Sequence, residues 1–294
     1  MLREPAQVTP EVRDRLVMRF GPTVLAWCDR LPALVGELAA RWDLEVAASG
    51  GGGTSRVFRC VRRDTGAPVW LKLTPDPTIA REEAEALRAW ADRPSVVSLL
   101  TEDPGLGALL LEHVEPGVPV RQLSWELSDA AALLRELRAG PPAPAENSVL
   151  RPLSHRVRFL FGLADRTGLL PPAALGRARE AALALAATGS MGLVHGDLHP
   201  ANALSGPGAR MVAIDPRPAW GDPDFDAVDW ALDGVVDAGA LEERVGRLAS
   251  LVPGQSPGRV LAWCRALAPL LAIPRLRAGR KDAETAFLVT LTGG

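Results

Sequence analysis

The rhythm of hydrophobic and polar positions changes twice along the chain. Residues 9–42 carry helix-like patches interrupted at Gly21-Pro22 and at Pro32, and Leu34, Leu38, Ala39 and Trp42 fall along one face of the second patch. From Leu44 the period shortens. Leu44–Ala48 and Arg56–Arg62 read as strands on either side of the glycine-dense run 49–55, and Pro68–Leu73 is a third strand after the Asp64-Thr-Gly66 turn. Pro77-Thr78 opens a helix that Arg93-Pro94 closes. Val96–Leu100 and Ala108–His113 form two further strands about the Pro104-Gly105 turn. Past Glu115-Pro-Gly117 the period is helical, predicting helices over 124–139, 153–168, 172–188, 226–238, 240–251 and 258–272. Short apolar strands near 192–194 and 211–214 bracket the polar run His195–Asn202. The pattern predicts an α+β chain. Residues 1–113 make a β-rich N-terminal lobe with a helical preamble and one further helix, and residues 114–294 make a helical C-terminal lobe. A lobe junction is a favoured place for a ligand site.

Composition narrows the setting. Hydrophobic residues make up 47% and charged residues 23%, the proportions of a soluble globular protein. A net charge of −2 supplies no field that would draw the chain to nucleic acid or to an anionic membrane. Met1–Pro5 lacks an apolar signal core, so a cytoplasmic protein is expected, as a monomer or weak dimer. Three scattered cysteines, Cys28, Cys60 and Cys264, have no zinc spacing and read as reduced thiols. Of 33 basic residues only Lys72 and Lys281 are lysines, only Asn147 and Asn202 are asparagines, and tyrosine is absent. A lysine or asparagine retained in so arginine- and alanine-rich a chain stands out, and Lys72 and Asn202 both fall in motifs.

The strongest of these is His195-Gly-Asp-Leu-His-Pro-Ala-Asn202, with Asp215 thirteen residues on at the end of Met211-Val-Ala-Ile-Asp215. Phosphoryl transfer uses one carboxylate to accept the proton of the acceptor hydroxyl, and an amide with a second carboxylate to hold Mg²⁺ against the phosphates. Asp197, Asn202 and Asp215 fit those roles. The plainer alternative is a turn that caps a helix. A cation for the phosphates is also needed. Lys72 lies mid-strand among apolar residues and is costly to bury alone. In the helix 78–92, Glu83 shares the apolar stripe of Ile79, Leu87 and Trp90 and is the acid aimed inward, ahead of Glu82. The alternative for Lys72 is a charged gatekeeper on an edge strand. The backbone of the loop Ser49–Ser55, with Gly51, Gly52, Thr54 and Ser55, is suited to close over phosphates, though a flexible hairpin explains its glycines equally well. No Gly-Lys dipeptide is present, so no Walker A loop competes.

The loop, Lys72, Glu83, Leu110-Leu-Glu-His113, HGDLHPAN and Ile214-Asp-Pro216 together resemble the aminoglycoside phosphotransferases, relatives of the protein kinases, over about residues 37 to 235. Glu83–Leu87 with Trp90, Val97–Leu100, Ala213–Pro218 and Gly221–Asp226 are most similar to the streptomycin 6-phosphotransferase and hydroxyurea phosphotransferase branch. The resemblance implies a bilobal protein-kinase-like fold and transfer of the γ-phosphoryl group of ATP, with Mg²⁺, to a small-molecule hydroxyl, as in aminoglycoside resistance. It implies Lys72 on the α and β phosphates, Glu83 holding Lys72, Asp197 as base, Asn202 and Asp215 on magnesium, and the backbone from Glu112 to Val114 on the adenine. Pro-Arg follows Asp215 where protein kinases have Phe-Gly, and Ala201 replaces a frequent glycine.

On the acceptor side, Asp226, Asp229, Asp233 and Asp237 would share one face of a helix 226–238, and such a stripe attracts a polycationic acceptor. A solvated acidic face is the alternative, with Asp222–Asp226 at the helix N-terminus. His155, Trp125 and Glu126 lie where the resemblance places acceptor-binding helices. Two other functions compete. A metal-dependent hydrolase would use His195, Asp197 and His199 but leaves Lys72 and Asn202 unexplained. A kinase-like binding protein would normally lack one of the catalytic groups, all of which are present here.

Overall fold

The computed structural model describes residues 6–50, 55–141 and 143–293. They form two compact units, one of residues up to Ala91 with Val97–His113, the other of Asp92–Val96 with Val114–Gly294.

The first unit opens with helices α1 (Pro10–Phe20) and α2 (Val24–Arg41). Pro32 does not break α2 as the sequence suggests. A proline inside a helix costs about 3 kcal/mol. Burial of Leu31, Leu34, Val35 and Leu38 on one face outweighs that, at about 1.5–3 kcal/mol for each side chain. Five antiparallel strands follow, β1 (Leu44–Gly50), β2 (Arg56–Arg62), β3 (Pro68–Leu73), β4 (Leu99–Asp103) and β5 (Ala108–Glu112), in the order β1-β2-β3-β5-β4. The strand expected over 96–100 lies three residues later, and Val96 instead makes an isolated bridge to Ala213. Phe58, Cys60, Val69, Leu71 and Leu73 share one sheet face and join the α2 leucines in the core of this unit. The alternating positions Val57, Trp70 and Lys72 occupy the other face, with Val57 opposite Lys72 and Lys72 opposite Leu109. Helix α3 (Pro77–Ala89) is capped by Asp76, whose carboxylate accepts the Thr78 N–H at 2.9 Å, and packs on β4 and β5.

The second unit is mainly helical: α4 (Leu127–Arg138), α5 (Leu153–Asp165), α6 (Pro172–Ala186), α7 (Val228–Leu232), α8 (Ala238–Leu251), α9 (Pro257–Arg277) and α10 (Ala283–Gly293). Two short antiparallel pairs complete it. β6 (Gly192–Val194) pairs with β9 (Ala219–Gly221), and β7 (Ala203–Ser205) pairs with β8 (Met211–Ala213). The helix expected over 226–238 is absent as such. A 3₁₀ turn (Pro223–Ala227) leads into the short α7, the chain turns at Asp233-Gly234, and Asp237 caps α8 by accepting the Ala240 N–H at 2.8 Å. Helix α9 contains Pro269 and runs on past its expected end at 272 through Pro274, with apolar residues buried around much of its circumference.

Candidate active site

Lys72 sits on the central strand of the sheet, which removes the edge-gatekeeper alternative. Its Nζ lies 2.6 Å from both carboxylate oxygens of Glu83, and the two side chains are 5% and 1% exposed. A buried pair of this kind stands only when both charges are present. Glu83 comes from α3, as its place on the apolar stripe predicts. Trp70 is a residue the sequence reading passed over. It shares the Lys72 face, lies beneath Gly50, and donates from Nε1 to His113 Nδ1 at 2.9 Å. Strand alternation from Lys72 was the signal that would have found it. Ser55 is buried at the start of β2, and Glu112 at the end of β5 accepts the Ser98 N–H at 2.8 Å. Gly51, Gly52 and Thr54 lie outside the described residues.

In the second unit, where Val114 is buried, HGDLHPAN forms a loop between β6 and β7. His195 is fully buried, and its Nδ1 accepts the Asp197 N–H at 3.3 Å. That contact sets the tautomer, so Nε2 carries the proton and donates to Ile214 O at 3.1 Å. Burial pushes this imidazole down to about 4, so it is neutral. With one ring nitrogen engaged by the loop and the other by the Ile214 carbonyl beyond β8, His195 is a structural strut rather than a metal ligand, and the hydrolase alternative loses its first ligand. Among the described residues, no group of three or more His, Cys, Asp or Glu is arranged to hold a metal ion by itself. Gly196 has φ +77°, and a Cβ there would lie 2.2 Å from Arg217 O, so only glycine fits.

Asp197 is held at both oxygens. Oδ1 accepts from Arg156 Nη2 at 2.8 Å and Oδ2 from Asn202 Nδ2 at 3.2 Å. Asn202 Nδ2 also donates to Asp197 O at 2.9 Å, an arrangement that leaves the amide oxygen to serve a cation. Asp215, at the end of β8, takes the left-handed φ of 56° and lies 3.2 Å from Arg217 Nη2. Aspartate visits this region more readily than most residues, and such backbone marks functional positions. An amide oxygen and one carboxylate, completed by phosphate oxygens and water, fit the way Mg²⁺ is bound in phosphotransferases.

The acidic run after Gly221 is built differently from the stripe expected from sequence. Asp222 accepts from Trp263 Nε1 at 2.7 Å and pairs with Arg259, and Asp224 pairs with Arg138 at 2.8 Å. Asp226 is 4% exposed and receives the N–H groups of His195 at 2.7 Å and Gly196 at 2.9 Å. These aspartates are internal ties, and the cations that pair with Asp222 and Asp224 come from distant helices. Asp226, besides tying the loop, joins Asp229 and Asp233 in lining a cleft with Asp197, His199 and Glu284. Its other wall is leucine-rich, with Leu267, Leu270 and Leu271 of α9 and Leu288 of α10. Burial first, and then the neighbouring carboxylates Asp197, Asp226 and Asp233, push Asp229 up to about 7. His155 is exposed and set against Arg151 at 3.0 Å. Trp125 lines a second recess and packs edge-on against Trp230, and Glu126 is spent in the capping box of α4.

The fold is the protein-kinase-like one. Choline kinase LicA from Streptococcus pneumoniae superposes with a TM-score of 0.60 at 15% identity, covering 89% of this chain and 98% of that one, and a structure of LicA in complex with AMP aligns equally well. In sequence, a streptomycin 6-kinase of Streptomyces glaucescens is 32% identical over 83% of this chain and 82% of its own length. A hydroxyurea phosphotransferase of Kitasatospora aureofaciens is 35% identical over 79% of this chain and 69% of its own. The family model for aminoglycoside/hydroxyurea antibiotic resistance kinases matches residues 41–277. With its lysine–glutamate pair, its HGDLHPAN loop and its Asp215, the chain belongs to that family of phosphotransferases.

Proposed function

We propose that the protein transfers the γ-phosphoryl group of ATP, with Mg²⁺, to a hydroxyl of an aminoglycoside such as streptomycin, as a cytoplasmic resistance enzyme. The observation that carries this reading is Asp197, fixed at both carboxylate oxygens and opening into a cleft edged by Asp229, Asp233 and Glu284. A base in that position takes the acceptor's proton as the hydroxyl attacks phosphorus. Lys72, steadied by Glu83, serves the α and β phosphates. Trp70, on the Lys72 face of the sheet, offers an aromatic surface to the base of the nucleotide, with the backbone of Glu112 to Val114 at its edge. By sequence, the run Gly51, Gly52, Thr54 and Ser55 is the one to offer backbone groups to the phosphates. Asn202 and Asp215 hold the metal, which supplies charge neutralisation along the triphosphate.

On the acceptor side, Asp229 and Asp233 attract cationic groups, while Asp226 acts through the loop it ties. An arriving ammonium or guanidinium group would draw Asp229 back to its ionised form. The leucine wall favours a second reading, a less charged small-molecule alcohol with an apolar face. Neither reading calls for a nucleic acid, a membrane or more than a weak dimer, and among the described residues no helix is long and apolar enough to cross a membrane.

A coupled ADP-release assay with MgATP decides between them. Streptomycin heads a panel of aminoglycosides and neutral alcohols, with Asp197→Ala in parallel. Streptomycin-dependent turnover that vanishes in the variant supports the first reading. Turnover with neutral alcohols alone supports the second, and failure to bind ATP overturns both.

A further inference from the structure

The base is reached by a cation from outside its own motif. Arg156, on α5, has a side chain that is 12% exposed. Its Nη2 donates to Asp197 Oδ1 at 2.8 Å and its Nε to Gly196 O at 2.9 Å. Nε and Nη2 form one rigid edge of the guanidinium plane, so a single plane ties the carboxylate to the carbonyl of the preceding residue. The ring of Phe159, one turn along α5, lies 5.8 Å from Arg156 Cζ. On the other oxygen, Asn202 also bonds both the Asp197 carboxylate and the Asp197 backbone. Each oxygen of the base therefore meets a donor that is itself anchored to the loop's main chain. Gly196 is gripped on both sides as well, its N–H by Asp226 and its carbonyl by Arg156.

We infer that Arg156 is the positioning residue of this enzyme's base. Its fork holds Asp197 in the rotamer that faces the acceptor cleft. The inference rests on reading Asp197 as the base. An aspartate without such ties distributes over several staggered rotamers, and only those within hydrogen-bond reach of the acceptor hydroxyl are productive. A misplacement of about 1 Å costs about 100-fold in rate. Lysine at this position would keep the charge but not the planar edge that reaches both Asp197 Oδ1 and Gly196 O. A purely structural strut would behave differently: its loss would lower the melting temperature without changing turnover per folded molecule.

The test uses the full chain as Arg156→Gln and Arg156→Lys, with Asp197→Asn alongside. Each is crystallised and assayed for MgATP turnover, with streptomycin as probe acceptor and with water alone. In the glutamine variant the Asp197 carboxylate is expected to leave its present rotamer. Turnover should fall about 100-fold with the ATP dissociation constant unchanged within about twofold. The lysine variant folds with its charge intact and should fall about tenfold, the share assigned to the fork. Asp197 in an unchanged pose, together with wild-type turnover in either variant while Asp197→Asn is dead, would overturn the inference. Wild-type turnover in Asp197→Asn would instead remove the reading of Asp197 as base.

Discussion

Asp226→Asn separates a residue that ties the catalytic loop from one that binds an acceptor. In the structure the two carboxylate oxygens of Asp226 receive the His195 N–H at 2.7 Å and the Gly196 N–H at 2.9 Å. Asparagine keeps the shape but turns one acceptor into an NH₂ group pointing at an N–H. One buried donor is then left without a partner, at about 1–3 kcal/mol, and at pH 8, above the value of about 7 to which burial pushes Asp226, the surviving bond also loses its charge assistance, about 1 kcal/mol more. The expected loss is about 2–4 kcal/mol, against a total stability of about 5–15 kcal/mol. For a chain of this size each kcal/mol moves the melting temperature by about 2 °C, so scanning calorimetry should show a fall of about 4–8 °C. Turnover should drop at least tenfold, because the loosened loop carries Asp197, while the acceptor KM stays near the wild-type value. A melting temperature within about 1 °C of wild type, or a change confined to acceptor KM, would refute the assignment of Asp226 as a tie.

Three further outcomes are expected. Glu83→Ala leaves the Lys72 ammonium buried without this carboxylate and should destabilise the protein by about 3–5 kcal/mol, seen as a lower midpoint in urea and a large rise in ATP KM; a normal midpoint would mean the pair is not isolated from water. Asp229 has a folded pKa raised to about 7 from an ordinary carboxylate value, so its contribution to stability is present below about pH 4 and is lost as pH rises through 7. The fall in melting temperature between pH 5 and pH 8 should therefore be smaller in Asp229→Asn than in wild type, and equal slopes would show that water reaches this carboxylate freely. Cys28, Cys60 and Cys264 are buried, and burial pushes all three thiols up, Cys60 to about 11. Ellman's reagent should leave the native protein unlabelled for hours and titrate three thiols after denaturation, whereas rapid native labelling would show that one of these helices or strands opens readily.

Much of the site was legible because its signals are local. The valine–lysine strand, the inward acid on α3 and the five-residue spacing of Asp197 and Asn202 each sit within one element, where periodicity of 2 or 3.6 places side chains directly. What the sequence concealed depends on partners distant along the chain. Asp222, Asp224 and Asp226 read as a run of uncompensated acids because their counterparts, Arg259 with Trp263, Arg138, and the His195 and Gly196 N–H groups, lie many residues away. Pro32 reads as a helix break, and the expected end at 272 falls just short of Pro274, because the local cost of a proline is visible in sequence and the burial that offsets it is not. Arg156 was hidden for the same reason. Nothing in the α5 sequence marks one of its arginines as the partner of Asp197.

The ties made by the 222–226 segment also set an order of events during synthesis. Asp226 clamps the loop that carries the base, while two residues back Asp224 is fixed by Arg138 of α4, and Asp222 by Arg259 and Trp263 of α9. A nascent chain that has already displayed the whole HGDLHPAN motif still lacks the anchors that hold it in shape until α9 has cleared the ribosome. Fragments ending before Trp263 should therefore be inert even though every catalytic side chain is present, and competence for phosphoryl transfer should arrive late and all at once.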